Sequence, residues 1–206
     1  MDTGVMLPDD PEPPGMRSAG RPVTIDPDAI ASLALRLFAE IGYERTSMED
    51  IARAAGIGRK SLYRYFSSKA DLIWGGMEPV IAASGTALEG ALDQRGDSED
   101  LVAGLRAAAV AGVAVISDLS VSRGRLRLIA EHPELASRSY ESLAPQRERA
   151  RQHLLVLGVP EETACYLSAA YLAATFEAWM RWAAGTDPDP VPYLLAAVEV
   201  LRVPGA

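Results

Sequence analysis

The chain has 206 residues, is 49% hydrophobic, and carries a formal net charge of −8 from 28 acidic and 20 basic side chains. That size and apolar content suit one compact body with a small appended domain, and the negative balance argues against a nucleic-acid partner unless the cations are gathered locally. They are: residues 43–69 hold six cations against three carboxylates, a segment of +3 that leaves −11 for the rest.

Cys165 is the single cysteine, so an intrachain disulfide is excluded and a reducing cytoplasm is the expected compartment. Asp2, Asp9 and Asp10 at the amino terminus, with no apolar run, do not describe a signal peptide. The nearest approach to a membrane span, residues 163–184, is interrupted by Glu177 and Arg181, so no membrane partner is expected.

In chain order, residues 1–24 hold Pro8, Pro11, Pro13, Pro14 and Pro22 among acids and glycines. Such a segment buries too little apolar surface to offset its ordering entropy, and reads as a disordered arm. Arg17 and Arg21 within it are either solvated or placed to reach a neighbouring minor groove. Asp26-Pro27 opens the first helix, an N-cap acceptor followed by proline at the first helical position. Ile30, Leu33, Ala34, Leu37, Phe38 and Ile41 then recur at helical spacing as far as Gly42. This helix is a floor, with no chemistry of its own.

Residues 45–69 read RTSMEDIARAAGIGRKSLYRYFSSK. Thr46 and Glu49 have capping-box spacing. Met48, Ile51, Ala52 and Ala55 share one face of a short helix that Gly56 ends. A second short helix follows from about Arg59 to Phe66, so the pair describes a helix-turn-helix. On the second helix Leu62 and Phe66 point toward a core. Lys60, Ser61, Arg64 and Tyr65 fill the opposite arc with Tyr63 on its flank, and every one can donate a hydrogen bond to a phosphate or a base edge. Ser68 and Asp71 repeat the cap spacing. Lys69 then sits in a first helical turn, against the dipole, where an external phosphate would explain it. A solvated cationic face with half-buried tyrosines is the competing reading.

Taken together, Thr46, Ile51, Ala52, Ala55, Gly56, Leu62, Tyr63, Tyr65, Phe66, Ser68 and Lys69 resemble the DNA-binding domain of the TetR family of transcriptional regulators. That family's pattern is an apolar first helix, a threonine-led I-A-x-x-A-G helix and turn, then L-Y-x-Y-F and S-K. Gly58 departs from it, standing where the family often has a capping serine, at a cost of roughly a few tenths of a kcal/mol. The resemblance implies an all-α protein with a three-helix helix-turn-helix DNA-binding domain at 25–70 and a helical effector-binding and dimerisation domain at 71–206. DNA contact would fall to Thr46, Ser47, Arg59, Lys60, Ser61, Tyr63, Arg64, Tyr65 and Lys69. Of these, Lys60, Ser61 and Arg64 are the base readers, and Tyr63, Tyr65 and Lys69 touch phosphate. Residues 21–74 and the later RLRLIAEHPEL resemble, more loosely, actinobacterial regulators of the mycofactocin-system branch, which points to an acyl-chain effector.

Beyond Ser68 the chain reads as helical to about residue 92 with a bend at Pro79. Residues 94–100 form a loop with Ser98 as the next cap, and 101–118 an apolar, buried helix. A helix at 123–132 stops before Pro133, and 134–157 continues helically until Gly158, interrupted by Pro145. Arg123, Arg125 and Arg127 suit either an anionic head group or contacts between domains.

Residues 161–184 form a helix apolar around its whole circumference, hence buried on both faces. Ala169, Ala170, Ala173, Ala174 and Ala178 gather on one side, which the resemblance assigns to the dimer contact, with Glu177 and Arg181 pairing within it. Tyr171, Leu172, Thr175, Phe176 and Trp179 gather on the other, assigned to the effector pocket; ordinary core packing is the rival for its aromatics. The last helix is expected at 192–203.

The expectation is a cytoplasmic repressor, nucleoid-bound when on its operator. It binds palindromic double-stranded DNA as a homodimer and is released by a small apolar or amphipathic effector. No cofactor, metal or catalysis is expected: His132, His153 and Cys165 are the whole supply of imidazole and thiol, and no Glu-x-x-His occurs. The rival function is a helical protein-interaction module that docks through the alanine-rich face without sequence-specific DNA binding.

Overall fold

The computed structural model describes residues 26–93 and 101–201. The arm at 1–24 with Arg17 and Arg21, the loop at 94–100 with Ser98, and the chain beyond 201 lie outside the described residues. Among the described residues there are twelve helices and no strand, the all-α class expected.

Helix α1 (Pro27–Ile41) begins as its sequence dictates: Asp26 Oδ1 accepts from the backbone N–H groups of Asp28 at 3.0 Å and Ala29 at 3.3 Å. It buries Ile30, Ala31, Ala34, Leu35 and Phe38, whereas Ile41 at its end is exposed. Helix α2 (Met48–Ala54) starts one residue later than the capping-box spacing suggested. Thr46–Glu49 and Ser47–Asp50 both offer a hydroxyl and an acid three apart, and the second pair forms the box. Thr46 is turned inward instead, 1% exposed, and donates to Gly42 O at 2.8 Å, so its hydroxyl ties the end of α1 to the start of α2. Gly56, at φ +66°, turns the chain into α3 (Arg59–Tyr65).

A single helix with a bend at Pro79 was the expectation from Ser68 onward, and the structure differs. Helix α4 (Lys69–Trp74), with Ser68 and Asp71 forming its capping box, ends at Gly75-Gly76, and α5 (Glu78–Asp93) starts afresh. A Cβ at Gly75 would lie 3.0 Å from the Phe66 ring and 3.1 Å from Asp71 O, and Gly76 has φ +71°. Pro79 is spent in the first turn of α5, where no N–H is required.

Helices α6 (Ala103–Ala114), α7 (Leu119–Glu131), α8 (Pro133–Ala136), α9 (Ser139–Ser142), α10 (Ala144–Val156), α11 (Glu161–Ala184) and α12 (Val191–Glu199) complete the chain. Asp118 caps α7, which therefore begins before Arg123. Residues 134–157 are three helices rather than one, with Pro145 in the first turn of α10, so it starts a helix instead of bending one. Helix α12 ends at Glu199, short of the expected 203.

The architecture is a bundle of α5, α6, α10, α11 and α12, with α7 packed on both α11 and α1. Two main cores result. The N-terminal one combines α1–α4, including Leu72 and Ile73, with Ile129 of α7 and Leu135 of α8. Helix α4, which spans the boundary drawn at residue 70, contributes to this core. The other core joins Leu88, Leu105, Leu154, Leu167, Tyr171 and Val198 from the bundle. The seam between them is stitched by Trp74 Nε1 donating to Leu135 O at 3.1 Å, by Arg138 Nη2 against Asp71 Oδ1 at 2.6 Å, and by the Tyr43 ring tilted against His132 with centres 4.7 Å apart. No single helix among the described residues is long and apolar enough to cross a membrane.

Candidate nucleic-acid interface and ligand cavity

Helix α3 is anchored by two side chains. Leu62 is 0% exposed and Phe66, at its C-cap, is 6% exposed, so the remaining arc turns outward. Arg59, Lys60, Tyr63, Arg64 and Tyr65 are exposed on it and Ser61 is half-buried. The Arg59 guanidinium lies 5.5 Å from the Tyr63 ring centre and that of Arg64 5.1 Å from the Tyr65 ring, which steadies two large phenols in solvent. Ring, hydroxyl and cation are thus presented together on a rigid two-turn element.

Two sequence-assigned contacts fare differently. Thr46 is buried and bonded inward, so its hydroxyl has no path to a phosphate. Lys69 has internal partners: its Nζ donates to Tyr43 O at 2.7 Å and sits 4.2 Å above the Tyr43 ring, which accounts for a lysine in a first helical turn without any external anion. Ser47 stays exposed but is engaged with Asp50. Arg45 was missed. It lines a surface notch of about 380 Å³ together with Arg59, Tyr63, Lys69 and Ser47, with Glu44 and Glu49 on the rim. Its sequence signal was faint, a lone cation just ahead of a helix cap.

A larger cavity, of about 610 Å³, lies along the seam. Asp28, Ser32 and Arg36 line it from α1, Trp74, Gly76 and Met77 from the α4–α5 break, and Arg125, Leu126 and Ile129 from α7. Helix α11 contributes Tyr171, Leu172, Thr175, Phe176 and Trp179, all five of the side chains expected on its aromatic side. Tyr171 donates to Leu105 O at 3.0 Å and Thr175 to Tyr171 O at 2.7 Å, so the wall these residues present is effectively apolar. Burial pushes the Tyr171 phenol well above its ordinary range. The rings of Phe176 and Trp74 are 5.9 Å apart, which brings α11 against the end of α4.

The three arginines of α7 divide sharply. Arg123 donates to Gly185 O and Asp187 O and lies 4.1 Å over the Trp182 ring. Arg127 Nε donates to Ala183 O at 2.9 Å. Both close the C-terminal end of α11, where cations satisfy the last carbonyls. Arg125 lines the cavity. Its Nη1 reaches only Met77 Sδ, at 3.1 Å, and its Nε is buried with no hydrogen-bond partner. Burial lowers its pKa to about 10, with the Asp28 carboxylate acting the other way.

The opposite side of α11 departs from the expectation of burial on both faces. Cys165, Tyr166, Ala170, Ala173, Glu177 and Arg181 are exposed, and Ala169 and Ala174 half-buried. Glu177 and Arg181 do approach, at 3.7 Å, but in solvent. Ala178 is 5% exposed within the single chain, so it belongs to the interior and not to the face presented outward. One grouping of possible metal ligands occurs among the described residues, Glu44, His132 and Glu134, with ligand atoms within 4.8 Å of one another; it sits at the seam, where His132 already stacks on Tyr43.

Residues 30–73 match the family of bacterial regulatory proteins named for tetR. Over 130 residues the chain is 38% identical to a Mycobacterium tuberculosis protein named as a mycofactocin biosynthesis transcriptional regulator. That alignment covers 63% of this chain and 64% of the relative, so the chain matches less than two thirds of the relative's length. A Bacillus subtilis HTH-type transcriptional regulator is 28% identical over 143 residues, which is 66% of this chain and 72% of that one. Among solved structures, the Thermus thermophilus FadR, a TetR family repressor in complex with lauroyl-CoA, superposes with a TM-score of 0.57 at 21% identity, covering 88% of this chain and 98% of that one. The fatty acid degradation regulator of Bacillus halodurans gives 0.54 at 18% identity, over 84% and 93% of the two chains. At those identities the likeness is one of fold, and the curated relatives are regulators rather than enzymes.

Proposed function

We propose, from the premise that this chain belongs to the TetR family of bacterial transcriptional regulators, that it is an effector-responsive repressor. It binds a near-palindromic operator in the cytoplasm as a homodimer, and an amphipathic, acyl-chain-like molecule releases it. Residues 26–74 form the recognition unit, in which Lys60, Ser61 and Arg64 read base edges while Tyr63, Tyr65, Arg59 and Arg45 hold phosphates. The exposed side of α11, with Ala170 and Ala173, and the neighbouring outer side of α12 form the two-fold contact. Small side chains there let the partner's helices approach closely, and two-fold symmetry sets two recognition helices about 34 Å apart along a duplex.

One observation supports release most directly: the cavity lies between the recognition unit and the bundle, with walls from α1, the α4–α5 break and α11 together. A molecule that fills it must move Trp74 relative to Phe176 or accept their present spacing. It shifts the DNA-competent population only by its difference in affinity for the two arrangements. The lauroyl-CoA held by the structurally similar Thermus repressor supports an acyl chain as the occupant.

The test is selection of bound sequences from a random duplex pool, then a mobility-shift titration of the recovered site with dodecanoyl-CoA. A palindrome and at least a tenfold loss of operator affinity are expected. Simultaneous, mutually indifferent binding of operator and ligand would defeat the release mechanism.

A further inference from the structure

We infer that Arg125 is the receptor for an anionic head group on the cavity's ligand, so that the occupant is an amphipathic anion seated head-first toward the recognition unit. The inference rests on the proposed effector role of the cavity and adds which end of the ligand is read, by which residue, and where.

Five charged side chains besides Arg125 line the cavity, Asp26, Asp28, Arg36, Asp118 and Arg149, and helix α7 carries three more, Arg123, Arg127 and the exposed Glu131. Asp26 and Asp118 serve as caps of α1 and α7. Arg149 donates to Ile81 O at 3.1 Å, and Arg36 is exposed. Arg123 and Arg127 are engaged with the end of α11. Among the described residues that line the cavity, Arg125 alone brings a guanidinium whose Nε is buried without an acceptor. A donor left in that state is costly, and an entering anion relieves it with a charge-assisted bond.

Its surroundings leave space for that anion. Met77 Sδ is a weak acceptor. Asp28 contributes its charge without forming an ion pair with Arg125 among the described contacts. Both approach Gly76: a Cβ there would lie in ordinary contact, 3.4 Å from Arg125 Nη2 and 3.9 Å from Asp28 Oδ1, so cation, carboxylate and the chain break at φ +71° stand together. The hydroxyls of Ser84, Tyr171 and Thr175 are spent on backbone carbonyls. Gln146 Oε1 is a second buried, unpartnered atom, but an acceptor, which gives an anion nothing. A head group bound by Arg125 would draw it from Met77 and Asp28, at the joint where α4 leaves the recognition unit for α5.

The experiment uses the full chain and the fluorescence of Trp74 and Trp179, which both line the cavity. Sodium dodecanoate, dodecanoyl-CoA and methyl dodecanoate are titrated into wild type, Arg125→Met and Arg125→Lys. At least one anionic probe should bind wild type tenfold or more tightly than the neutral ester, and which one does tells whether the anion is a carboxylate or the carrier's phosphate. That preference should fall to within about twofold in Arg125→Met and be partly kept in Arg125→Lys. Circular dichroism melts check folding; an apolar replacement for a buried charge should not lower the midpoint. Equal binding of ester and anions by wild type, absence of binding by all three, or a preference retained in folded Arg125→Met would overturn the inference. Operator binding by the ligand-free protein is measured alongside: its absence would sink the regulatory reading and leave the head-group result standing.

Discussion

The outward arc of α3 and the cavity along the seam are the two proposed binding surfaces, and they are built in opposite ways. The first is drawn from one continuous run of seven residues held by Leu62 and Phe66, with its cations and phenols in solvent. The second is assembled from α1, α4, α5, α6, α7, α10, α11 and α12, and its defining cation, Arg125, is half-buried with its Nε out of water. Exposed polar groups at helical spacing keep their hydration and cost the fold little. A buried guanidinium is tolerated only where something else supplies what water no longer does. The contrast implies that the proposed DNA side can be altered without touching stability, whereas changes at the seam should reach both stability and the proposed coupling.

The sharpest test of that contrast removes Lys60, Tyr63 and Tyr65 together by alanine substitution. Operator affinity should fall at least a hundredfold, with the thermal midpoint shifted by no more than a few degrees, since Tyr63 and Tyr65 are 41% and 43% exposed. A large drop in midpoint would show that the arc is part of the core after all.

The seam gives the next effect. Burial raises the Asp71 carboxyl, but hydrogen bonds from Ser67 and Arg138 outweigh it and hold the group below its ordinary range. A depressed carboxylate contributes stability above its unfolded pKa of about 3.9, and that contribution is lost as pH falls through the folded value. Arg138→Ala should therefore cost up to about 1 kcal/mol near neutrality, discounted because Arg138 is 37% and Asp71 21% exposed. The penalty should shrink in denaturant titrations below about pH 4. A penalty constant from pH 7 to 3 would remove the ion pair from the account.

Smallest in its effect on operator binding is Thr46→Val. Losing the bond to Gly42 O removes a partner from a partly buried carbonyl, for a destabilisation of about 1 kcal/mol. Operator affinity measured well below the midpoint should change less than twofold; a tenfold loss would return Thr46 to the DNA surface.

What could be read ahead of the structure follows the same division. Asp26-Pro27, Gly56, Ser68-Asp71 and the 161–184 run act through neighbours within a few residues, and each forms as its spacing dictates. Where two local solutions were equally good, something distant decided. Thr46 and Ser47 compete for the same cap, and burial of Thr46 against α1 settles it. The Gly75-Gly76 break wins over the Pro79 bend because Phe66 and Asp71 press on Gly75. Ala178 shares a helical side with Ala170 by projection, yet lies inside, because packing around a 24-residue helix is not uniform along its length.

By itself, then, the order of residues determined the helices, the helix-turn-helix and the cationic arc on α3, because each rests on periodicity and caps that operate within a turn or two. Only the tertiary structure decided that Lys69 and Thr46 serve the fold, that Arg123 and Arg127 close α11, and that Arg125 alone faces the cavity. Three arginines at alternate positions are chemically identical in the chain. Their separate fates come from what each one meets across the seam, dozens of residues away, where burial and available acceptors set the balance.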